Sequence, residues 1–204
     1  MHPRIENECR GYRIPMALEE RPLPIRAHPV VLGTVIFIAS ETMFFAALFA
    51  TYYNLKARAP VWPPPGVHLD QIGPALGTLF LLISSGATFA VMQELRRKRT
   101  ARAQVWLYLG ILGGLSYIVD AMHGYASQNF GLRSGAYGSI YVTMTGFHLL
   151  HVVAGVILLL GLFFGLRSPT FRADRHEGAE AVGYYWHFVT AMWIGIYTTV
   201  YWIR

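Results

Sequence analysis

The sequence predicts an all-α integral membrane protein that folds as one bundle of five transmembrane helices, with the N-terminus in the cytoplasm and the C-terminus outside. The first observation is composition: 54% of the 204 residues are hydrophobic and 14% are charged, a balance typical of chains that cross a membrane several times. The second is spacing, because the apolar residues form five runs of about 23 to 27 residues, each long enough to cross the hydrocarbon core. The third is an uneven distribution of Lys and Arg between the loops.

Each apolar run ends at a segment that cannot continue as a membrane helix. Prolines 63–65 stop the first helix, and the basic turn 96–99 separates the second helix from the third. A Gly- and Ser-rich segment, 127–138, precedes the fourth helix, and a charged segment, 166–180, precedes the last. The predicted helices cover residues 30–54, 72–94, 103–126, 139–165 and 181–203.

Residues 1–29 form an N-terminal arm before the membrane domain, which is predicted to cover residues 30–204. The arm mixes Arg with Glu and contains five prolines, so we expect an irregular cytoplasmic segment, either a solvated tail or a docking arm for a partner subunit. No signal peptide is expected. Cys9 is the only cysteine, which excludes an internal disulfide and a zinc or iron–sulfur cluster held by cysteines of this chain.

The basic residues indicate the topology. Thirteen of the seventeen Lys and Arg residues lie in the N-terminal arm and in the loops after the second and fourth helices, and four lie in the other loops and at the C-terminus. The positive-inside rule therefore places the N-terminus in the cytoplasm. Because topology explains the net charge of +6, no nucleic-acid partner is expected.

Glu41 is the only acidic residue in the first predicted helix and lies near its middle. A carboxyl group at that depth costs several kcal/mol unless it is protonated, paired or hydrogen-bonded. We therefore expect Glu41 to point into the bundle and to be held by polar groups of other helices or by lipid. It is either a hydrogen-bonded acid without a chemical role or a carboxyl group that takes part in proton movement.

Other ionisable residues lie inside the later helices, and their depths follow from residue counts. Counted from opposite membrane faces, Glu41 lies about 16 Å deep and His151 about 18 Å deep, so the two are predicted at the same level. Asp120 and His148 match each other approximately, nearer the outer face. The ionisable residues predicted within these later spans are Asp120, His123, His148, His151 and His187.

His148 and His151 are three residues apart on one helix and are predicted to share a face. A membrane cytochrome holds each haem between histidines of facing helices, and these two are too close to serve two stacked haems. With Glu41 they could ligate a non-haem metal, but packing and hydrogen bonding against neighbouring helices is the simpler interpretation. His187, beside Trp186, is predicted near the cytoplasmic interface.

No phosphate-binding loop, nucleophile motif or zinc-protease motif occurs in the sequence. The residues alone therefore favour a structural or accessory membrane subunit over a free-standing enzyme.

Several motifs resemble one known family. Ser40-Glu41 followed by Phe44-Phe45 is similar to the Ser-Glu-x-x-Phe-Phe motif of subunit III of the haem–copper oxidases, the cytochrome c and quinol oxidase family. Further similar segments are Trp62-Pro63-Pro64, Gly66, Tyr137-Gly138-Ser139, Thr145 to Val152, Tyr185 to Val189, Ile196-Tyr197 and Tyr201-Trp202. Their order matches the family, and the chain resembles its five-helix bacterial form, which lacks the first two of seven helices.

The resemblance implies a non-catalytic accessory subunit of a proton-pumping terminal oxidase, a multi-subunit oxidoreductase and translocase that reduces oxygen to water in aerobic respiratory electron transport. It implies that this chain has no redox centre and that haem and copper lie in subunits I and II. It also implies that the chain packs on subunit I, binds phospholipid, and supports proton uptake and turnover stability. The implied location is the bacterial inner (plasma) membrane, where residues 1–29 could reach a neighbour in a respiratory supercomplex.

The resemblance also assigns residues. By position, Glu41 corresponds to the family's buried, carbodiimide-reactive carboxylate. Intramembrane polar partners are expected among His148, His151, Asp120 and His123. The residues expected to contact lipid or a partner subunit are Trp62, Arg167, His176, Glu180 and His187, with ordinary loop charge as the alternative for Arg167, His176 and Glu180.

The chain departs from the family pattern at three places. Thr190 stands where Asp is usual, Leu149 replaces the central Gly of the histidine motif, and His123-Gly124-Tyr125 stands where a carboxylate–Tyr pair is expected. These departures leave the fold unaffected. They indicate a divergent branch in which polar contacts at these positions are not carried over from the family.

Three other functions stay open at this stage. The first is an accessory subunit of a nitric oxide reductase, which the departure at Thr190 permits. The second is an independent membrane transporter or proton channel, although no inverted repeat supports it. The third is a haem-carrying membrane cytochrome.

Overall fold

The computed structural model of the protein describes residues 29–67, 69–168 and 177–203, and their regular secondary structure is entirely helical. The predicted all-α class is thus confirmed for this part of the chain. The helices are α1 (Pro29–Arg58), α2 (Ile72–Arg96), α3 (Thr100–Ser127), α4 (Gly135–Arg167) and α5 (Glu177–Tyr197), and a π-helix (Thr198–Trp202) follows α5 directly.

The helices are longer than predicted at most of their ends. For example, α1 continues to Arg58 rather than ending at residue 54, and α4 begins at Gly135 rather than at residue 139. The prediction ended each helix where the apolar run ended, but helical hydrogen bonding satisfies the backbone equally well in the polar interface. The last helix is also corrected, because its α-helical part covers Glu177–Tyr197 and a π-helix follows.

Four of the helices form a closed ring. Contacts join α2 to α3, α3 to α4, α4 to α5 and α5 back to α2, and the α2–α3 contact is the most extensive. Helix α1 lies outside this ring and packs on the seam between α4 and α5. Only Phe45 and Tyr52 of α1 are buried, so most of its apolar surface faces outward.

The ring closes around Trp186 of α5, whose side chain is fully buried. A Cβ atom added to Gly155 of α4 would lie 2.6 Å from the Trp186 ring, and one added to Gly114 of α3 would lie 2.8 Å from it. The indole N–H donates to the Ser84 hydroxyl over 3.0 Å, and that hydroxyl donates to the Gly110 carbonyl over 2.5 Å. One side chain therefore joins all four helices of the ring.

Helices α1 to α4 are long and apolar enough to cross a membrane. Helix α5 does not meet the same condition, because Glu177, Glu180 and His187 and several Tyr and Gly residues lower its mean hydropathy. The chain is therefore a multi-pass membrane protein with at least four candidate spans among the described helices, and the fifth span stays a prediction.

Candidate functional site

Glu41 of α1 and His151 of α4 meet where α1 packs against the ring. Glu41 Oε2 lies 3.0 Å from His151 Nε2, and the two side chains are 22% and 15% exposed, respectively. Two residues that stand 110 positions apart are thus brought together at one depth, as the residue counts along the two helices indicated.

The second nitrogen of His151 determines what the contact can do. His151 Nδ1 lies 2.7 Å from the backbone carbonyl oxygen of Phe147. A carbonyl only accepts hydrogen bonds, so Nδ1 must carry a hydrogen. Nε2 then either accepts a proton from the Glu41 carboxylic acid or, in an imidazolium ring, donates one to a carboxylate. In both forms a single proton lies between the two side chains.

Aromatic side chains lie beside this pair. The Phe45 ring is 5.1 Å from the His151 ring in an edge-on arrangement, and the adjacent Phe44 ring of α1 lies 4.9 Å from the Phe147 ring of α4. The Tyr185 hydroxyl of α5 donates to the backbone carbonyl of His151 over 3.1 Å. Residues of α1, α4 and α5 therefore meet at this proton-holding contact.

His148 lies one turn from His151 but faces a different part of the molecule. It is fully buried, with its ring 5.1 Å from that of Trp193 and 5.7 Å from that of Tyr117. Among the described residues neither ring nitrogen has a hydrogen-bond partner. Within the described residues His148 therefore packs without hydrogen bonding. Asp120, with which it was matched in depth, lies near the same Tyr117 ring, and the two side chains form no hydrogen bond with each other.

The structure offers no convergence of metal ligands in the ranges it describes. His151 reaches Glu41, and no group of three or more His, Cys, Asp or Glu residues there could hold an ion. Phe45 packs against both histidine rings, at 6.5 Å from His148 and 5.1 Å from His151, but only His151 has a hydrogen-bond partner among the described residues.

Asp120 and His123 lie together at the end of α3, against the start of α2. They line a cavity with Asp70 and several aromatic residues. His123 is exposed and Asp120 is half-buried, so ionisable groups at this end of the bundle are accessible from the surface of the protein.

Four of the five predicted lipid- or subunit-contacting residues have partners within the chain, and one of the four is His187, which contacts the Ser85 hydroxyl. Glu180 pairs with Arg96 over 3.2 Å, and the Arg167 guanidinium lies 4.5 Å above the Phe163 ring. Trp62 contacts the Tyr52 and Tyr137 rings, at 5.4 and 4.9 Å. His176 lies outside the described residues.

The structure corrects the predicted location of Trp186 and His187. Trp186 is fully buried against the middle of α3 and α4, and His187 Nδ1 lies 2.6 Å from the Ser85 hydroxyl in the middle of α2. The prediction placed both near the interface because it began the helix at residue 181, whereas α5 begins at Glu177. They therefore lie about one turn deeper than expected.

Sequence reasoning missed Tyr185 as a neighbour of His151. Tyrosine is common near the ends of membrane helices, so the residue type carried no signal. The spacing from Trp186 could have indicated that the two adjacent side chains point to different faces of α5, since successive helical residues are about 100° apart.

The chain matches the family model described as Cytochrome c oxidase subunit III over residues 25–204. It is 31% identical over 172 residues to Cytochrome c oxidase subunit 3 of Thermostichus vulcanus, covering 84% of this chain and 86% of that protein. It is 34% identical over 183 residues to Probable cytochrome c oxidase subunit 3 of Mycobacterium bovis, covering 88% and 90%. It is 33% identical over 190 residues to Cytochrome c oxidase subunit 3 of Loxodonta africana, covering 88% of this chain and 71% of that longer protein.

Proposed function

This chain belongs to the cytochrome c oxidase subunit III family, and from that premise we propose that it is the membrane-embedded accessory subunit of a proton-pumping terminal oxidase. In this proposal the haem and copper centres belong to subunits I and II. The chain contributes packing on subunit I, phospholipid binding, and support for proton uptake and for stability during turnover.

The contact between Glu41 and His151 is the observation that carries this proposal. It gives the chain a carboxyl group at membrane depth with one defined partner and a fixed imidazole tautomer. We assign the shared proton mainly to Glu41, because a neutral acid facing a neutral imidazole costs less in hydrocarbon than an ion pair does. Such a pair holds α1 on the ring at a level where lipid or a partner helix can reach it.

The outward face of α1 supports an assembly role. Val35, Ile36 and Met43 are between 51% and 74% exposed, and a membrane helix with so few buried residues leaves a wide apolar surface for lipid or a partner subunit. The proposal includes five spans, with α5 crossing as part of the ring, the N-terminus in the cytoplasm, and the bacterial inner membrane as location.

A groove between α2 and α5 supports phospholipid binding at the cytoplasmic end. It measures about 310 Å³ and is lined by Phe89, Tyr184 and His187 together with the Arg96–Glu180 pair. A cation beside an apolar groove suits an anionic headgroup with its acyl chain.

The test is purification of the tagged full chain from its own membranes in a mild detergent. We expect co-purification with haem- and copper-bearing subunits and oxygen reduction by the complex. In the Glu41→Gln variant we expect normal assembly and initial rate but a shorter active lifetime during sustained turnover. The matched control is Glu94→Gln, the same chemical change at a residue of α2 that contacts Arg97 at 3.6 Å, and it should keep the original lifetime.

The alternative functions give different outcomes in the same experiment. Recovery with a subunit that reduces nitric oxide would favour the reductase assembly. A stable lone protein with transport activity would contradict an accessory role, and a haem band in the isolated chain would indicate a cytochrome. Equal active lifetimes for Glu41→Gln and the original protein would contradict the proposed role of the Glu41–His151 pair.

A further inference from the structure

A cavity of about 90 Å³ lies where the start of α2 and the end of α3 meet α4 and α5. Asp70, Asp120 and His123 line it on one side, and Tyr117, Tyr125 and Trp193 are among the aromatic residues on the other. The volume accommodates several water molecules or one small polar group. It is far from Glu41 and His151, which do not line it, so the proposed accessory role leaves it unexplained.

Asp120 is positioned at this cavity by close packing of α3 on α2. A Cβ atom added to Gly77 would lie 2.7 Å from Asp120 Oδ2, and one added to Gly73 would lie 3.4 Å from Oδ1. The same added atom at Gly73 would be 3.1 Å from Asp70 Oδ2, so carboxyl oxygens of both acids converge beside one glycine. Glycine at position 77 therefore allows Asp120 to approach α2 this closely.

The two acids differ in the hydrogen bonds that their carboxyl groups accept. Asp70 accepts hydrogen bonds from the backbone N–H groups of Ile72 and Gly73, at 3.1 and 3.2 Å. These bonds hold the pKa of Asp70 below its usual value, so that it stays ionised. Asp120 receives no hydrogen bond from any residue in the described ranges and has no cation there within salt-bridge distance. Of the described residues that line the cavity, the ionisable base is His123, which is exposed one turn along α3.

Several hydrogen-bond donors of the wall opposite Asp120 bind other residues of the chain. The Tyr125 hydroxyl donates to Thr145 over 2.7 Å, and the Trp193 N–H donates to Thr78 over 2.8 Å. Gln128 donates to the Tyr141 hydroxyl, which is also bonded to the Tyr201 hydroxyl. The wall therefore presents mainly ring surfaces to the cavity, together with the Tyr117 hydroxyl and the one O–H hydrogen that the Tyr141–Tyr201 bond does not use.

We propose that this cavity binds an organic ammonium group, with Asp120 as its counter-ion and the aromatic wall around its substituents. Two carboxyl groups disfavour an anion, and an ammonium group supplies the positive charge that the cavity does not provide within bonding distance of Asp120. Aromatic rings attract such a cation through their electron-rich faces. The ammonium group belongs either to a free solute or to the headgroup of a lipid, since the cavity lies at one end of the bundle.

Choline chloride is the probe, because its N-methyl protons report binding in saturation-transfer nuclear magnetic resonance. The full chain, in the complex with which it purifies, is placed in nanodiscs of phosphatidylglycerol, which has no ammonium group. Irradiating the aromatic protons of the protein should saturate the choline methyl groups. The uncharged analogue of the same shape, 3,3-dimethylbutan-1-ol, should bind roughly tenfold more weakly because it lacks the charge.

Two comparisons decide the proposal. The Asp120→Asn variant should lower choline affinity roughly tenfold, whereas Glu94→Gln, at the other end of α2, should leave it unchanged. In phosphatidylcholine nanodiscs the signal disappears if bilayer headgroups fill the cavity, and it persists if only free solutes do. Equal binding of choline and the uncharged analogue by the unaltered protein would overturn the proposal, as would equal choline binding by the original protein and Asp120→Asn.

Discussion

Two contacts hold the helices of this protein together in different ways. The tryptophan slot, made by Trp186 with Gly114, Gly155 and Ser84, joins the four ring helices through close packing and two buried hydrogen bonds. The seam pair, Glu41 and His151, joins α1 to the ring through one hydrogen bond between partly exposed side chains.

The difference is that the slot is a packed contact inside the ring, whereas the seam pair is a polar contact at its edge. The slot is fixed from all sides, so any added atom there must displace backbone or a large ring. Glu41 of the seam pair lies on a helix with only two buried residues, outside the ring. Each contact can therefore be altered separately.

The largest effect is expected from Gly155→Val. Its Cβ atom alone would lie 2.6 Å from the Trp186 ring, and overpacking of this kind costs about 1–3 kcal/mol or more. Gly161→Val on the same helix is the matched control, because nothing lies within 4 Å of an added Cβ there. We expect the first variant to unfold at a clearly lower temperature in detergent and the second to match the original protein. Equal unfolding temperatures for the two variants would contradict the slot.

A smaller effect on stability is expected from His151→Gln. The change removes the 3.0 Å contact with Glu41 but leaves the ring intact, so the loss should be about 0.5–1.5 kcal/mol, the net value of one hydrogen bond. The same thermal unfolding assay measures it. A loss as large as that of Gly155→Val would mean that the seam pair, rather than the slot, holds the bundle together.

Depth along the helices could be predicted from the sequence, but rotation about their axes could not. Residue counts placed Glu41 and His151 at one level because every helical residue rises by the same distance. The same counts matched Asp120 with His148, and the rings of Tyr117 and Trp193 that His148 contacts also line the cavity at Asp120. The counts did not indicate that Asp120 turns toward the glycines of α2. Packing against neighbouring helices determines the rotation of each helix about its axis, and the local sequence pattern does not contain that information.

The spacing of glycines likewise does not indicate which neighbour packs against them. The pairs Gly110/Gly114 and Gly161/Gly165 have the same four-residue spacing in the sequence, which permits close helix packing. Side chains of α2, α4 and α5 crowd the first pair, whereas nothing lies within 4 Å of an added Cβ at either member of the second. A small-residue pattern permits close approach but does not supply the neighbour. Likewise no sequence feature indicated the π-helix after Tyr197.

Infrared difference spectroscopy tests most directly whether Glu41 holds the proton that it shares with His151. The spectrum of the Glu41→Gln variant is subtracted from that of the original protein, both in membranes at neutral pH. Our account predicts a protonated carboxyl C=O band that belongs to Glu41 and shifts in the His151→Gln variant. A difference spectrum with only carboxylate bands, or a Glu41 band that His151→Gln leaves unshifted, would contradict it.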